Sequence, residues 1–223
     1  MAVEIKETPL GTAHSFTAEN AIADYRLAYQ SRQASLIGRK EVLTGKAKFG
    51  IFGGGKELPQ IAMAKAFRKG DIRSGYYRDQ TFAFATGIAD IKQFFAQLYA
   101  NPNLEQEPHS GGRQMNSHFA SRHLDEDGNW RNLTEIAQSS ADGSPTASQM
   151  PRLVGLAQAS KVYREVPQAD EIQQFSVNGE EIAFGTIGNA SCAEGHFWET
   201  LNAIGVIQAP MIVSIWDDEY GIS

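Results

Sequence analysis

The stretch that decides the fold runs from Ile182 to Trp216. It opens Ile182-Ala183-Phe184-Gly185-Thr186-Ile187-Gly188-Asn189-Ala190-Ser191 and closes Pro210-Met211-Ile212-Val213-Ser214-Ile215-Trp216. The first apolar run, Ile182 to Ile187, has the length of a strand and stops in a glycine-marked turn. Ala193 to Ile207 reads as a helix, with Ser191-x-x-Glu194 as a capping box at its start. The run Pro210 to Trp216 is a second apolar strand. Strand, helix, strand is a βαβ unit, so the two strands are expected to lie parallel and buried. The fold class that follows is α/β: a parallel sheet with flanking helices.

Outward from this unit, Asn178-Gly179 reads as a hairpin turn between short strands, Phe175 to Val177 and Glu181 to Phe184. Gln149 to Arg164 is helical, with small residues Gly155, Ala157 and Ala159. Asn101 to Pro151 is a long irregular segment rich in Gly, Ser, Asn, Asp and His, and a loop of that length inside a domain is usually functional. The half before it is helix-rich. Thr17 to Thr44 repeats Ala21, Tyr25, Ala28, Tyr29, Leu36, Val42 and Leu43 at helical steps, and Leu58 to Phe67, Tyr77 to Ala85 and Ile91 to Tyr99 read as further helices. Residues 1–16 read as a flexible arm, and 17–223 as one domain.

Composition limits the function classes. The chain has 223 residues, with 20 basic and 26 acidic side chains and a formal net charge of −6. That balance argues against nucleic acid and against anionic membrane surfaces, which select basic faces. No apolar run reaches the roughly 18 residues of a membrane span. The single cysteine, Cys192, excludes an internal disulfide and fits a reducing, cytoplasmic setting. It has no visible partner base; a position at a helix start can lower a thiol's pKa, but a small structural residue is the plainer reading.

Chemistry concentrates at the ends of the two strands. Gly188-Asn189-Ala190-Ser191 leads directly into a helix, whose N-terminus offers N–H groups and positive potential to an anion. A tight turn that simply needs small residues reads the same way, and both readings stand at this point. Asp217-Asp218-Glu219-Tyr220 ends the second strand and offers oxygen ligands of the kind Mg²⁺ takes. The βαβ geometry sets these carboxylates beside the Asn189 turn.

Gly188-Asn189-Ala190-Ser191 through Glu194-Gly195, then Leu201-Asn202-Ala203, Pro210 and Asp217-Asp218-Glu219-Tyr220-Gly221, resembles the thiamine-diphosphate-binding motif. More closely, it resembles the alpha subunit of the decarboxylating dehydrogenase of 2-oxo acid dehydrogenase complexes, of the pyruvate and branched-chain types. An alpha-like half of a fused alpha/beta chain is included in that resemblance. The family motif opens Gly-Asp-Gly and closes Asn-Asn, and its Asp and second Asn hold Mg²⁺. Here the two are exchanged: Asn189 stands at the Asp position and Asp218 at the second Asn position, at the family's spacing. The resemblance implies Asn189, Asp218 and the Tyr220 carbonyl as Mg²⁺ ligands, with Gly188, Ala190 and Ser191 at the cofactor diphosphate.

The likeness extends upstream. Gly54-Gly55-Lys56-Glu57 resembles the family's Gly-x-Glu. Tyr76-Tyr77-Arg78-Asp79 resembles its Tyr-Arg-Asp, which puts Tyr77 and Arg78 on the diphosphate; the planar guanidinium suits phosphate oxygens. Gly112-Arg113-Gln114-Met115 and His118 resemble its active-site segment, making His118 a candidate catalytic residue. Ser144-Pro145-Thr146-Ala147-Ser148-Gln149-Met150-Pro151 resembles the segment at the aminopyrimidine ring. It implies Ser144 and Thr146 for the cofactor, and Ser148 and Gln149 for K⁺ where a member binds it.

The resemblance implies thiamine-diphosphate-dependent oxidative decarboxylation of a 2-oxo acid, with acyl transfer to a lipoyl-bearing acyltransferase. It also implies a beta-type partner and a dimer or heterotetramer. A chain ending just past Asp218 is expected to be part of a larger alpha-type fold. A non-catalytic homologue and a transketolase-like transferase are the alternatives. Two decoys fall away. Gly50 to Lys56 follows the phosphate-loop pattern until Glu57 replaces its Ser or Thr. His109, His118, His123, Asp125 and Asp127 lack compact metal-ligand spacing.

Overall fold

A computed structural model describes residues 16–166 and 172–221. The expected N-terminal arm lies almost wholly outside the described residues, as do Ile222 and Ser223. Helices α1 (Ala18–Leu43), α2 (Glu57–Ala64), α3 (Gln80–Thr86) and α4 (Ile91–Leu98) fill the first half, with strand β1 (Ile72–Ser74) between α2 and α3. Strand β2 (Gln138–Ser139), helix α5 (Gln149–Glu165), strand β3 (Ala183–Gly188), helix α6 (Gly195–Ile207) and strand β4 (Met211–Trp216) follow. The four strands form one sheet in the order β2-β1-β3-β4, and every pairing is parallel. The expected βαβ unit is β3-α6-β4, in register from Ala183 opposite Met211 to Gly188 opposite Trp216.

Alternation along β3 explains why the sheet is covered on both sides. Ala183 and Ile187 enter an apolar cluster with Met150, Leu153 and Ala157 of α5 and Phe197 of α6. Phe184 points the other way, edge-on to Phe67, which in turn meets Phe82 of α3. Thr186 shares that second face and donates to Asp79. Period-two alternation with both faces buried is the signature of a central parallel strand.

Three expectations are corrected and one element, α1, adds a finding of its own. First, β4 is an edge strand and only half covered: Ile212 and Ile215 are exposed. Second, the Asn178-Gly179 turn forms, with both residues at positive φ, but no hairpin does. The Glu181 carboxylate takes the Ser176 hydroxyl and the Val177 N–H, and Ile182 gives its carbonyl to Ile72 and its N–H to Asp71. Those bonds commit the segment to β1. Third, α1 forms where its repeat places it, and small residues rather than the tyrosines and leucines make its buried face. Ser31, Ala34, Ser35 and Gly38 are buried, while Tyr25, Tyr29, Leu36 and Leu43 are exposed. Fourth, Ser191-x-x-Glu194 is no capping box. A 3₁₀ turn, Ala190–Ala193, comes first, and α6 starts at Gly195 without a side-chain cap. Strands β1 and β2 carry no sequence signal, because three and two residues are too short for a period to show.

Candidate functional site

The site is assembled at the carboxyl ends of β1, β3 and β4. Its foundation is a buried ion network. Arg73 of β1 is fully buried, and its Nε donates to Asp79 at 3.0 Å. Its two terminal nitrogens bond Asp142 at 3.1 and 3.0 Å, and one also bonds Ser139 of β2 at 2.7 Å. Asp79 in turn accepts from Thr186 of β3, from the Trp216 indole of β4 at 3.2 Å and from the Tyr76 N–H at 3.3 Å. One carboxylate thus ties three strands together and fixes the Tyr76-Tyr77-Arg78 loop above them. A buried charge is tolerated when it is paired and its lone pairs are filled, which is the case here.

Above this network is a cavity of about 430 Å³. Tyr76, Tyr77, Arg78, Lys56 and Thr146 line it. The β3–α6 turn contributes Gly188, Asn189, Ala190 and Ser191, and the end of β4 contributes Trp216, Asp218 and Tyr220. Seven residues implied for the cofactor (Tyr77, Arg78, Thr146, Gly188, Asn189, Ala190 and Ser191) therefore line one cavity, as do Asp218 and Tyr220. Arg78 Nη1 donates to the Phe52 carbonyl at 2.8 Å, and its guanidinium lies 5.5 Å from the centre of the Tyr77 ring, so its direction is set. Tyr77 and Arg78 also wall a second cavity of about 660 Å³ bounded by α1.

Four other implied residues take different places. Ser144 is exposed and bonds His118 Nε2 at 2.8 Å. His118 is buried, with Nδ1 3.1 Å from the Asn116 carbonyl and its backbone clasped by the Gln97 amide. Neither lines the 430 Å³ cavity. Gln149 is a packing residue: its side-chain amide donates to the Thr186 carbonyl at 2.8 Å, and its backbone carbonyl accepts from the Ser74 hydroxyl. The Ser148 hydroxyl is buried without a hydrogen-bond partner.

An anionic phosphate group fits this cavity. The Tyr76 hydroxyl is buried and has no hydrogen-bond partner. It lies 3.7 Å from where a Cβ on Gly188 would stand, so it faces the β3–α6 turn. Burial, reinforced by Asp79, pushes the Tyr76 phenol far above its ordinary range, which leaves it a neutral donor. With Lys56 and Arg78 it offers three donors to phosphate oxygens.

A divalent cation fits less well. Asn189 is neutral, and the one carboxylate of the expected set, Asp218, already carries a cation: Lys56 Nζ donates to its Oδ2 at 2.5 Å. That contact holds the Asp218 carboxyl below the usual range. Among the described residues no group of three His, Cys, Asp or Glu side chains is arranged to hold a metal. Lys56 and Tyr76 are the site residues that sequence reading left without a role. Their neighbours in the quoted motifs, Glu57, Tyr77 and Arg78, drew the attention, and no local signal marks a contact 162 residues away.

Comparison with known proteins follows the same lines. The family model described as the dehydrogenase E1 component matches residues 25–223. The 2-oxoisovalerate dehydrogenase subunit alpha of Bacillus subtilis (strain 168) is 28% identical over 216 residues, covering 95% of this chain and 55% of that protein. The mitochondrial 2-oxoisovalerate dehydrogenase subunit alpha 1 of Arabidopsis thaliana is 25% identical over 179 residues, 80% of this chain and 31% of its own length. The mouse mitochondrial subunit alpha is likewise 25% identical, over 80% of this chain and 33% of its own. The chain thus spans about half the length of the bacterial relative and a third of the other two.

Proposed function

The chain belongs to the dehydrogenase E1 component family, and from that premise we propose that it is the diphosphate-holding, alpha-type part of a thiamine-diphosphate-dependent 2-oxo acid dehydrogenase. The observation that carries this reading is the single cavity of about 430 Å³ in which Tyr77 and Arg78, the Gly188-to-Ser191 turn and Asp218 meet. Open parallel sheets bind ligands beyond the carboxyl ends of their strands, and this cavity lies there. The named relatives, alpha subunits of 2-oxoisovalerate dehydrogenases, favour a branched-chain 2-oxo acid as substrate.

In this reading Arg78, Lys56 and the Tyr76 hydroxyl bind diphosphate oxygens. Tyr77 and Thr146 close the wall, and the β3–α6 turn brings backbone N–H groups to the anion. Asn189, Asp218 and the Tyr220 carbonyl complete the polar lining beside Lys56. Bound thiamine diphosphate would supply the carbanion stabilisation that decarboxylation needs. Ser144, held by His118, would stand toward the aminopyrimidine end, and Ser148 with Gln149 toward a potassium ion. A beta-type partner completes the substrate pocket, and a lipoyl-bearing acyltransferase accepts the acyl group.

The test is an assay of 2-oxo acid turnover by this chain with and without a beta-type partner. The chain alone is expected to be silent, and turnover to appear on adding the partner. Turnover by the chain alone would contradict this division of labour.

A further inference from the structure

Lys56 is placed with unusual care for a lysine. The Gly54-Gly55 turn, with Gly55 at a φ of +95°, delivers it to the N-cap position just before α2, where Glu57 Oε2 accepts the Gly55 N–H at 2.9 Å. Its side chain is nine-tenths buried, while that of Asp218 is half exposed. Burying a long cationic side chain costs conformational entropy and hydration, so a contact to one exposed carboxylate is a weak reason for it. What the position does explain is the cavity: Lys56 Nζ stands on Asp218, in the cavity that Arg78, Tyr76 and Asn189 also line.

We propose that the Lys56 ammonium is the built-in cation of the diphosphate site, bridging Asp218 to the phosphate oxygens in the place where the family pattern sets Mg²⁺. The proposal rests on the diphosphate reading above. Charge supports it in sign: Asp218 alone would repel a diphosphate, and the Lys56 ammonium cancels that carboxylate's charge without a metal, which leaves the Arg78 guanidinium as net attraction for the anion. The ammonium has three donor protons, and Asp218 takes one. The neutral Asn189 agrees with this account, since a lysine on Asp218 leaves no second cation for a carboxylate at 189 to hold.

The experiment is calorimetric titration of thiamine diphosphate into the intact protein with its beta-type partner, in EDTA and in Mg²⁺, for the wild type, Lys56→Gln and Asp218→Asn. Circular dichroism checks that each variant is folded. Wild type is expected to bind in EDTA within about threefold of its affinity in Mg²⁺. Lys56→Gln is expected to lose about tenfold or more in EDTA and to recover most of it with Mg²⁺. Asp218→Asn, which releases the ammonium, is expected to bind at least as tightly in EDTA as wild type; this arm also decides the matter if Lys56→Gln fails to fold. Wild-type binding only with Mg²⁺, lost in Asp218→Asn and unchanged in Lys56→Gln, would overturn the lysine proposal and leave the diphosphate reading standing. No binding by any protein under either condition would overturn both.

Discussion

Asp79 is the residue on which the site's geometry depends. Its two oxygens accept from Arg73, Thr186, Trp216 and the Tyr76 backbone, so a single truncation orphans donors on three strands and leaves a buried guanidinium short of one counter-charge. Removing one partner of a buried pair typically costs about 3–5 kcal/mol. Asp79→Ala is therefore expected to lose stability in that range by urea denaturation, and a loss below about 1 kcal/mol would show that Asp142 alone suffices. His109 gives a prediction in pH. Its Nδ1 lies 2.9 Å from the Ala120 carbonyl, its Nε2 is buried without a partner, and burial lowers its pKa below 6.5. His123 is lowered for the same reason. Below pH 6.5 the unfolded chain takes up these protons before the folded one does, so stability falls as the solution is acidified. His109→Gln should shrink the difference in urea midpoint between about pH 7.5 and about pH 5.5. An unchanged difference would mean that the carboxylates carry the acid loss.

Elements were legible where a period was long and apolar, and illegible where packing overrode it. The βαβ unit could be read because β3 and β4 are six residues each and a turn marks each end. Helix α1 could be located from its repeat, but its buried face could not be read from it. Hydrophobic periodicity selected the tyrosines and leucines, whereas the buried stripe is Ser31, Ala34, Ser35 and Gly38. Those small residues admit the Gln80 amide, which donates to Ser31 and Ser35, and the Thr81 hydroxyl, 2.6 Å from Ser31 Oγ. A polar face satisfied by polar partners has no signature in a hydrophobicity pattern. The contact between β3 and α5 can be tested in the same spirit. A Cβ on Gly185 would collide with Leu153 Cδ1, so Gly185→Ala is expected to destabilise by about 1–3 kcal/mol through overpacking. Gly185→Ala combined with Leu153→Ala should recover part of that loss relative to Leu153→Ala alone, because the methyl then fills the space left by the leucine. Failure to recover would place the strain in the backbone.

Across the whole molecule, parallel pairing gathers segments that are far apart in the chain. The loops after β1, β3 and β4 come to the same end of the sheet, which is why Arg78, Asn189 and Asp218 share a cavity. The motifs were readable one by one; their meeting with Lys56 was not, because it depends on the order β2-β1-β3-β4 and on two strands too short to read. A ligand that binds only the folded chain adds about 2.7 kcal/mol of stability at a hundredfold excess over its dissociation constant, so thiamine diphosphate should raise the melting temperature of the intact protein. Thiamine, which lacks the phosphates, should not raise it comparably.

The central claim is that this cavity holds a diphosphate, and the most direct measurement compares thiamine diphosphate with thiamine by calorimetric titration, for the wild type and for Arg78→Ala with the partner present. The account predicts that wild type binds thiamine diphosphate far more tightly than thiamine, and that Arg78→Ala loses about tenfold or more for the diphosphate only. Equal affinities for the two ligands, or an Arg78→Ala variant that binds thiamine diphosphate as wild type does, would contradict it.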